Sequence, residues 1–187
     1  VKTVSSTVLG RQMGIRSHTI RKDINVLGEV GKVGAGYDIE ILAQRLREHL
    51  GLGVQRTACV IGLGRLGSAI IDYEKFDASG FTIVAGFDSN INKVETMKCR
   101  VQLFAAYVLE DIIARMGIEI AVLTVPAAVA QQTAKRCVDS GIRGILNFAP
   151  QFITTDEDGV YIRNIDVVGE FDILNAFMNR KTHQERS

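Results

Sequence analysis

The sequence predicts an α/β protein in which a small basic helix-turn-helix module precedes a parallel, doubly wound sheet. Three observations carry that expectation. A short apolar strand, Thr57-Ala58-Cys59-Val60-Ile61, runs into Gly62-Leu63-Gly64-Arg65-Leu66-Gly67 and then into a helix. From there to about residue 150, strand-like apolar runs alternate with helical patterns. Ahead of them two short helical stretches meet at a glycine, and a glycine-rich hairpin follows. At 187 residues the chain is long for one domain and short for two full ones. The expected division is 1–50 for the small module, 51–166 for the sheet and 167–187 for a terminal helix.

Composition narrows the class. Hydrophobic residues make up 47% of the chain, enough for a packed core, which excludes wholesale disorder. A net charge of +1 excludes a histone-like polycation. The charge is uneven, however. Residues 1–36 carry six Lys/Arg against Asp23 and Glu29, whereas 37–187 carry 16 against 19 acidic residues. A basic small end on a near-neutral body points to an anionic partner such as nucleic acid. Cys59, Cys99 and Cys137 form no C-x-x-C pair, so neither a zinc knuckle nor a redox dithiol is indicated and no metal site is expected. An odd count without a disulfide framework favours a reducing, cytoplasmic compartment. The longest apolar stretch, 120–130, is about 11 residues and contains Pro126, too short to span a bilayer. No secretory leader is visible at residue 1, and the absence of an initial Met leads us to expect sequence upstream.

In the small module, Ser5 and Ser6 start a two-turn helix that Gly14 stops. Ser17 is expected to cap a second helix running to about Leu27, with Ile20, Ile24 and Leu27 on one buried stripe and His18, Arg21 and Lys22 on the other face. Two short helices around a glycine-containing turn make a helix-turn-helix whose second helix enters a major groove. The run from Gly28 to Tyr37 has the glycines of a tight hairpin with Lys32 at its tip, a wing. A three-helix core also needs a first helix, expected before Val4. Phosphate contacts are assigned to Lys2, Lys22 and Lys32, and base-edge contacts to Ser17, His18 and Arg21. Ser5, Ser6, Arg16, Gly34 and Tyr37 complete the candidate nucleic-acid surface. Residues 40–50 form a connecting helix, with Ile41, Leu42, Leu46 and Leu50 apolar, and Gly51-Leu52-Gly53 ends it.

In the second module the G-x-G-x-x-G run has the context that gives it meaning, a strand before and a helix after. Its glycines permit a tight turn, close approach of a pyrophosphate and close strand–helix packing, with free N–H groups at the helix start. The next strand, 81–87, ends at Asp88, which follows Gly67 by 21 residues. That is the offset of a carboxylate accepting from an adenosine ribose 2′-hydroxyl. Ser89 and Asn90 follow with no Arg beside them, which favours NAD(H) over NADP(H), although Lys93 lies close. Further strands are expected near 101–104, 118–124 and 144–148. Thr124-Val125-Pro126 and Asn147-Phe148 sit at strand carboxyl ends and are expected to line the nicotinamide side. The terminal segment carries Val167, Val168, Phe171, Ile173, Leu174, Phe177 and Met178, apolar nearly all round. A second subunit is expected to cover what the sheet does not.

An NAD-dependent oxidoreductase is the first alternative. It lacks support because about 37 residues follow residue 150, too few for a substrate domain, and His18, His49 and His183 lie outside the nucleotide half. No catalytic residue is assigned. A CoA- or nucleotide-binding scaffold is the second alternative, against which stand Asp88 and the basic module.

Taken in order and spacing, several runs resemble the Rex family of bacterial redox-sensing transcriptional repressors. They are Val4-Ser5-Ser6, Ile20-Arg21-Lys22-Asp23, the G-x-x-G-K-x-G-x-G-Y run from Gly28 to Tyr37, Gly62 to Gly67, Phe87-Asp88, Thr124-Val125-Pro126-Ala127, the run from Gly141 to Pro150, and Asn164-Ile165-Asp166. The resemblance covers essentially the whole chain. It implies a homodimer of winged helices and Rossmann domains with the terminal helix exchanged between subunits. It also implies binding to palindromic operator DNA when NADH is scarce relative to NAD⁺, and release when NADH binds. Asp166 matches a family carboxylate that couples the cofactor site to the DNA-binding module. The sequence departs from the family at Arg65, which replaces an Asn and either contacts the pyrophosphate or points out. It departs again at Phe104, where a Tyr is common near the nicotinamide, and at Val33, where a second basic residue often follows Lys32.

Overall fold

The computed structural model describes residues 2–32, 34–73 and 75–184. The chain divides into two compact units, Val1–Val54 and Gln55–Ser187.

In the first unit β1 (Thr3–Val4), α1 (Ser6–Met13), α2 (Ser17–Asn25), β2 (Gly31–Lys32), β3 (Gly36–Asp38) and α3 (Ile39–His49) follow in order. Ser5 caps α1, its hydroxyl accepting from the Val8 N–H at 3.2 Å, and Gly14 closes it in a left-handed conformation. The helix-turn-helix bend depends on Gly10. A Cβ there would stand 2.4 Å from the Ile15 carbonyl oxygen, so nothing larger fits between the helices. Ser17 does not cap α2. The N-cap is Arg16, which makes no side-chain cap bond, and the helix ends at Asn25, short of Leu27.

β2 and β3 pair antiparallel as the wing, with Lys32 opposite Gly36. β1 adds to the other edge of β3, Val4 opposite Tyr37, a strand the sequence did not suggest. Val33, the residue at the wing tip that departs from the family pattern, lies outside the described residues. The core is Ile20, Ile24, Val30 and Leu42, joined by Val4, Leu9, Leu27 and Tyr37. On α3, capped by Asp38, Leu42 is buried while Ile41, Leu46 and Leu50 remain exposed in this unit.

The second unit holds β4 (Arg56–Ile61), α4 (Arg65–Ile71), α5 (Lys75–Ala78), β5 (Phe81–Asp88), α6 (Ile91–Thr96), β6 (Gln102–Ala105), α7 (Leu109–Met116), β7 (Ile120–Leu123), α8 (Ala127–Asp139), β8 (Gly144–Asn147), β9 (Tyr161–Asn164) and α9 (Val167–Gln184). The six strands are all parallel, in the order β6-β5-β4-β7-β8-β9. The order reverses direction between β4 and β7, and the crevice beyond their carboxyl ends is where such sheets bind ligands.

Both faces of the sheet are covered. On one, Cys59, Ile61, Ala85 and Phe87 pack against Leu109, Ile112 and Ile113 of α7 and Ala130, Ala134 and Cys137 of α8. On the other, Ala58, Val60, Ile83 and Val122 pack against Leu63 and Ile71. The sheet runs one strand further than expected. β9 has only four residues, with Tyr161 and Arg163 exposed on an edge, too few to show a period in sequence. α9 is a long helix whose Val167, Val168, Phe171, Ile173, Leu174, Phe177 and Met178 are all at least half exposed. Residues 185–187 of the expected terminal segment lie outside the described residues. No helix among the described residues is long and apolar enough to cross a membrane.

Candidate functional site

A cleft of about 670 Å³ opens beyond β4, β5 and β7, a size suited to a nucleotide. Its floor is the glycine loop. Gly62 has φ +95°, and a Cβ there would meet the Thr124 carbonyl at 2.7 Å, so this turn takes glycine alone. At Gly67 a Cβ would lie 2.0 Å from the Gly62 carbonyl oxygen and 2.7 Å from Thr124 Oγ1, which fixes the close packing of α4 on the loop. Thr124 ties β7 to this loop by donating from Oγ1 to the carbonyls of Ile61 at 3.1 Å and Gly62 at 2.5 Å. Gly64 is different: a Cβ there meets nothing within 4 Å. The space in front of it lies open to the cleft that Gly64 lines.

Asp88 closes one side. Its Oδ2 accepts from the Leu63 N–H at 2.8 Å and from Lys93 Nζ at 3.2 Å, and its Oδ1 from the Asn90 N–H at 2.8 Å. Burial pushes this carboxyl up, but the two backbone N–H bonds and Lys93 together pull it below its ordinary value, so it is ionised at neutral pH. A carboxylate has about four acceptor positions. Three are taken by the protein, which leaves one for a ligand hydroxyl.

The opposite wall comes from Ala106, Leu109 and one face of α8, namely Val129, Gln132, Thr133 and Arg136. Arg136 grips Glu110 through Nε (2.5 Å) and Nη2 (2.8 Å), and Nη2 also donates to the Ala106 carbonyl at 2.9 Å. The fork joins α7 to α8 at the rim, and the Arg136 hydrogen bond holds the Glu110 carboxyl below its ordinary value.

Of the residues expected at a cofactor, the structure brings Gly62, Gly64, Asp88, Lys93, Thr124, Val125 and Pro126 into this cleft. Leu63 is buried beneath it and acts through its N–H on Asp88. Gly67 is buried under the loop, while Arg65 and Leu66 are exposed at the start of α4. Phe104 packs into the core against Phe87, ring centroids 5.7 Å apart.

Asn147 and Asp166 belong to a second, smaller cavity of about 260 Å³ at the ends of β8 and β9. Asn147 is 1% exposed and both N–H donors of its amide are committed. It donates to the Gln151 carbonyl and to Asn164 Oδ1, both at 2.8 Å, and accepts from the Ala149 N–H at 3.0 Å. Phe148 packs against the core on the α4 side of the sheet. Asp166 caps α9, accepting from the Gly169 N–H at 2.9 Å.

Val129, Gln132, Thr133 and Arg136 were missed in the sequence, although their i, i+3, i+4, i+7 spacing after Pro126 places them on one helical face. Ile61, Phe87, Ser89, Ala106 and Leu109 were missed as well; they enter the cleft only because strands β4, β5 and β6 end side by side.

In the first unit a concavity of about 390 Å³ gathers Ser5, Ser6, Arg21, Gly34 and Tyr37 with Asn25, Gly31 and Gly36. Lys2, Arg16, His18 and Lys22 are exposed outside it, and Ser17 is partly buried at the start of α2. Lys32 lies in β2, its side chain outside the described part. Among the described residues no cluster of His, Cys, Asp or Glu could hold a metal ion.

Comparison with known proteins matches this architecture. Residues 54–151 match the family model described as the CoA binding domain. The redox-sensing transcriptional repressor Rex of Chloroflexus aurantiacus is 39% identical over 183 residues, covering 97% of this chain and 85% of that protein. Rex of Roseiflexus sp. (strain RS-1) is 36% identical over 186 residues, covering 100% and 84%. The chain belongs to the Rex family of redox-sensing transcriptional repressors. Rex proteins are regulators of transcription rather than enzymes, and this chain is one of them. Among solved structures, the Rex-family repressor RSP superposes with a TM-score of 0.88 at 34% identity, covering 100% of this chain and 86% of RSP. RSP in complex with β-NAD⁺ and operator DNA superposes at 0.89, and RSP with β-NADH at 0.87.

Proposed function

We propose that this chain is an NADH-responsive repressor that binds palindromic operator DNA when NADH is low relative to NAD⁺ and releases it when its cleft holds NADH. The carrying observation is the cleft of a Rex-family chain that joins an open Gly64 to an ionised Asp88 with one acceptor position left. The residues fit an adenine dinucleotide. The loop around Gly64 takes the pyrophosphate, Asp88 the adenosine ribose, and Thr124, Val125 and Pro126 lie where the ligand crosses from β4 to β7. Arg65, Leu66, Phe104, Asn147, Phe148 and Asp166 do not line this cleft.

The DNA-facing surface comprises Arg16, Ser17, His18, Arg21 and Lys22 around α2, the wing with Lys32, and Lys2, Ser5, Ser6, Gly34 and Tyr37 beside them. The partner is a second copy of the chain, which covers the apolar surface of α9. A ligand switches DNA affinity only by favouring one arrangement of such a dimer over another. The place of work is the bacterial cytoplasm.

The test is selection of genomic DNA fragments by the protein at fixed salt, with and without NADH, because phosphate contacts make affinity depend on ionic strength. Palindromic fragments released by NADH are expected. Fragments retained equally with NADH, or no specific fragments, would refute the reading. CoA is the control suggested by the match at 54–151; release by CoA and not by NADH would reassign the cleft.

A further inference from the structure

Lys93 lines the cleft beside Asp88. An aspartate at the end of β5 ordinarily rejects a dinucleotide phosphorylated on the adenosine 2′-oxygen, because the phosphate meets a carboxylate of the same sign. Here the carboxylate is already matched. Lys93 Nζ lies 3.2 Å from Asp88 Oδ2, and both side chains line the cleft. The pair is neutral, and only one partner is covered, with Asp88 10% and Lys93 37% exposed. An ammonium has three N–H donors. One faces Asp88, which leaves Lys93 able to turn the others toward a phosphate at the same ribose.

Arg136 is the other cation lining the cleft among the described residues, and Glu110 and the Ala106 carbonyl already hold it. Arg65, in the glycine loop, is not among the lining residues.

We propose that Lys93 determines how strongly the cleft discriminates against 2′-phosphorylated dinucleotides, so that selection between NADH and NADPH belongs to the Asp88–Lys93 pair and not to Asp88 alone. The inference rests on the cleft taking an adenine dinucleotide, as proposed above. By neutralising Asp88 and supplying a donor, Lys93 narrows the gap between the two ligands that a bare aspartate would impose.

The experiment measures Kd for NADH and for NADPH by calorimetry on the whole chain at fixed ionic strength, for the native protein and for Lys93→Met, Lys93→Arg and Asp88→Asn. Lys93→Met is expected to weaken NADPH about tenfold more than NADH, the effect of one charge-assisted contact. Lys93→Arg keeps a cation and should keep the native ratio. Asp88→Asn removes the like charge and should shift the ratio toward NADPH. NADPH binding to the native protein should fall more steeply with salt than its binding to Lys93→Met. If Lys93→Met weakens both ligands equally, Lys93 merely supports Asp88 and the proposal fails. It fails also if the ratio does not move. If the native protein binds neither dinucleotide, the reading of the cleft fails first and this inference with it.

Discussion

Two glycines three residues apart in one loop should fail in opposite ways. At Gly67 an added methyl would sit 2.0 Å from the Gly62 carbonyl oxygen and 2.7 Å from Thr124 Oγ1, well inside van der Waals contact. Backbone must move to admit it, and overpacking of this kind costs about 1–3 kcal/mol. In a unit spanning residues 55–187 that lowers Tm by about 4–11 °C. At Gly64 a Cβ meets no atom within 4 Å and the backbone has φ −67°, which any residue adopts. Gly64→Val should therefore melt within about 2 °C of the native protein.

Ligand reverses the ranking. NADH at about a hundred times its Kd adds about 2.7 kcal/mol to the native protein and raises its Tm by several degrees. Gly64→Val fills the space left for the pyrophosphate and should lose that rise. Gly67→Ala, lower to begin with, should keep part of it. Differential scanning fluorimetry with and without NADH reads both effects. A Gly64→Val protein that melts well below Gly67→Ala, or that keeps the full ligand shift, would falsify the assignment of Gly64 to the ligand and Gly67 to the fold.

Four further outcomes are expected. Burial pushes the Cys59 thiol well above its ordinary value and that of Cys137 up to about 12, while Cys99 is partly exposed. Iodoacetamide at neutral pH should label Cys99 first and the other two only on unfolding, as mass spectrometry will show. The two raised thiols stabilise the fold below the unfolded value of about 8.5, and that contribution should drain away as pH climbs from there toward 12. Asn147→Ala strips partners from Asn164, Gln151 and the Ala149 N–H, and chemical denaturation should register a loss of about 1–3 kcal/mol; a neutral result would contradict the network drawn around it. Arg21→Ala, at the concavity beside the wing, should weaken binding to the operator by about 1–3 kcal/mol more than binding to unrelated DNA, whereas an equal loss on both would remove Arg21 from the base-edge contacts.

Much of this architecture is legible in the sequence. The loop from Gly62 to Gly67 and the acid at Asp88 are local signals, since strand, turn and helix start follow from neighbours in sequence. The helix-turn-helix was legible for the same reason, from Ser5, Gly14 and the stripe of Ile20 and Ile24. Errors came where a local rule met a competitor. Ser17 looks like a cap, yet the chain already turns at Arg16 and draws Ser17 into the first turn. β1 and β9 have two and four residues, and both exist only because a distant strand, β3 or β8, offers a partner edge.

The sequence by itself determined the order of elements, the glycine geometry and the sign of charge at each end. Tertiary structure decided what those residues face. It set Asn147 inward to tie its own turn, although at a strand end it reads as a ligand residue, because a buried amide must satisfy its hydrogen bonds and the chain from Ala149 to Asn164 supplies the partners. It brought the α8 face from Val129 to Arg136 against Ala106 and Leu109 to make the far wall of the cleft. It also placed Lys93 on Asp88, five residues away, by turning α6 back across the end of β5. Spacing encodes what a residue does to its own backbone; which side chains meet across a cleft depends on how strands and helices far apart in the chain pack together.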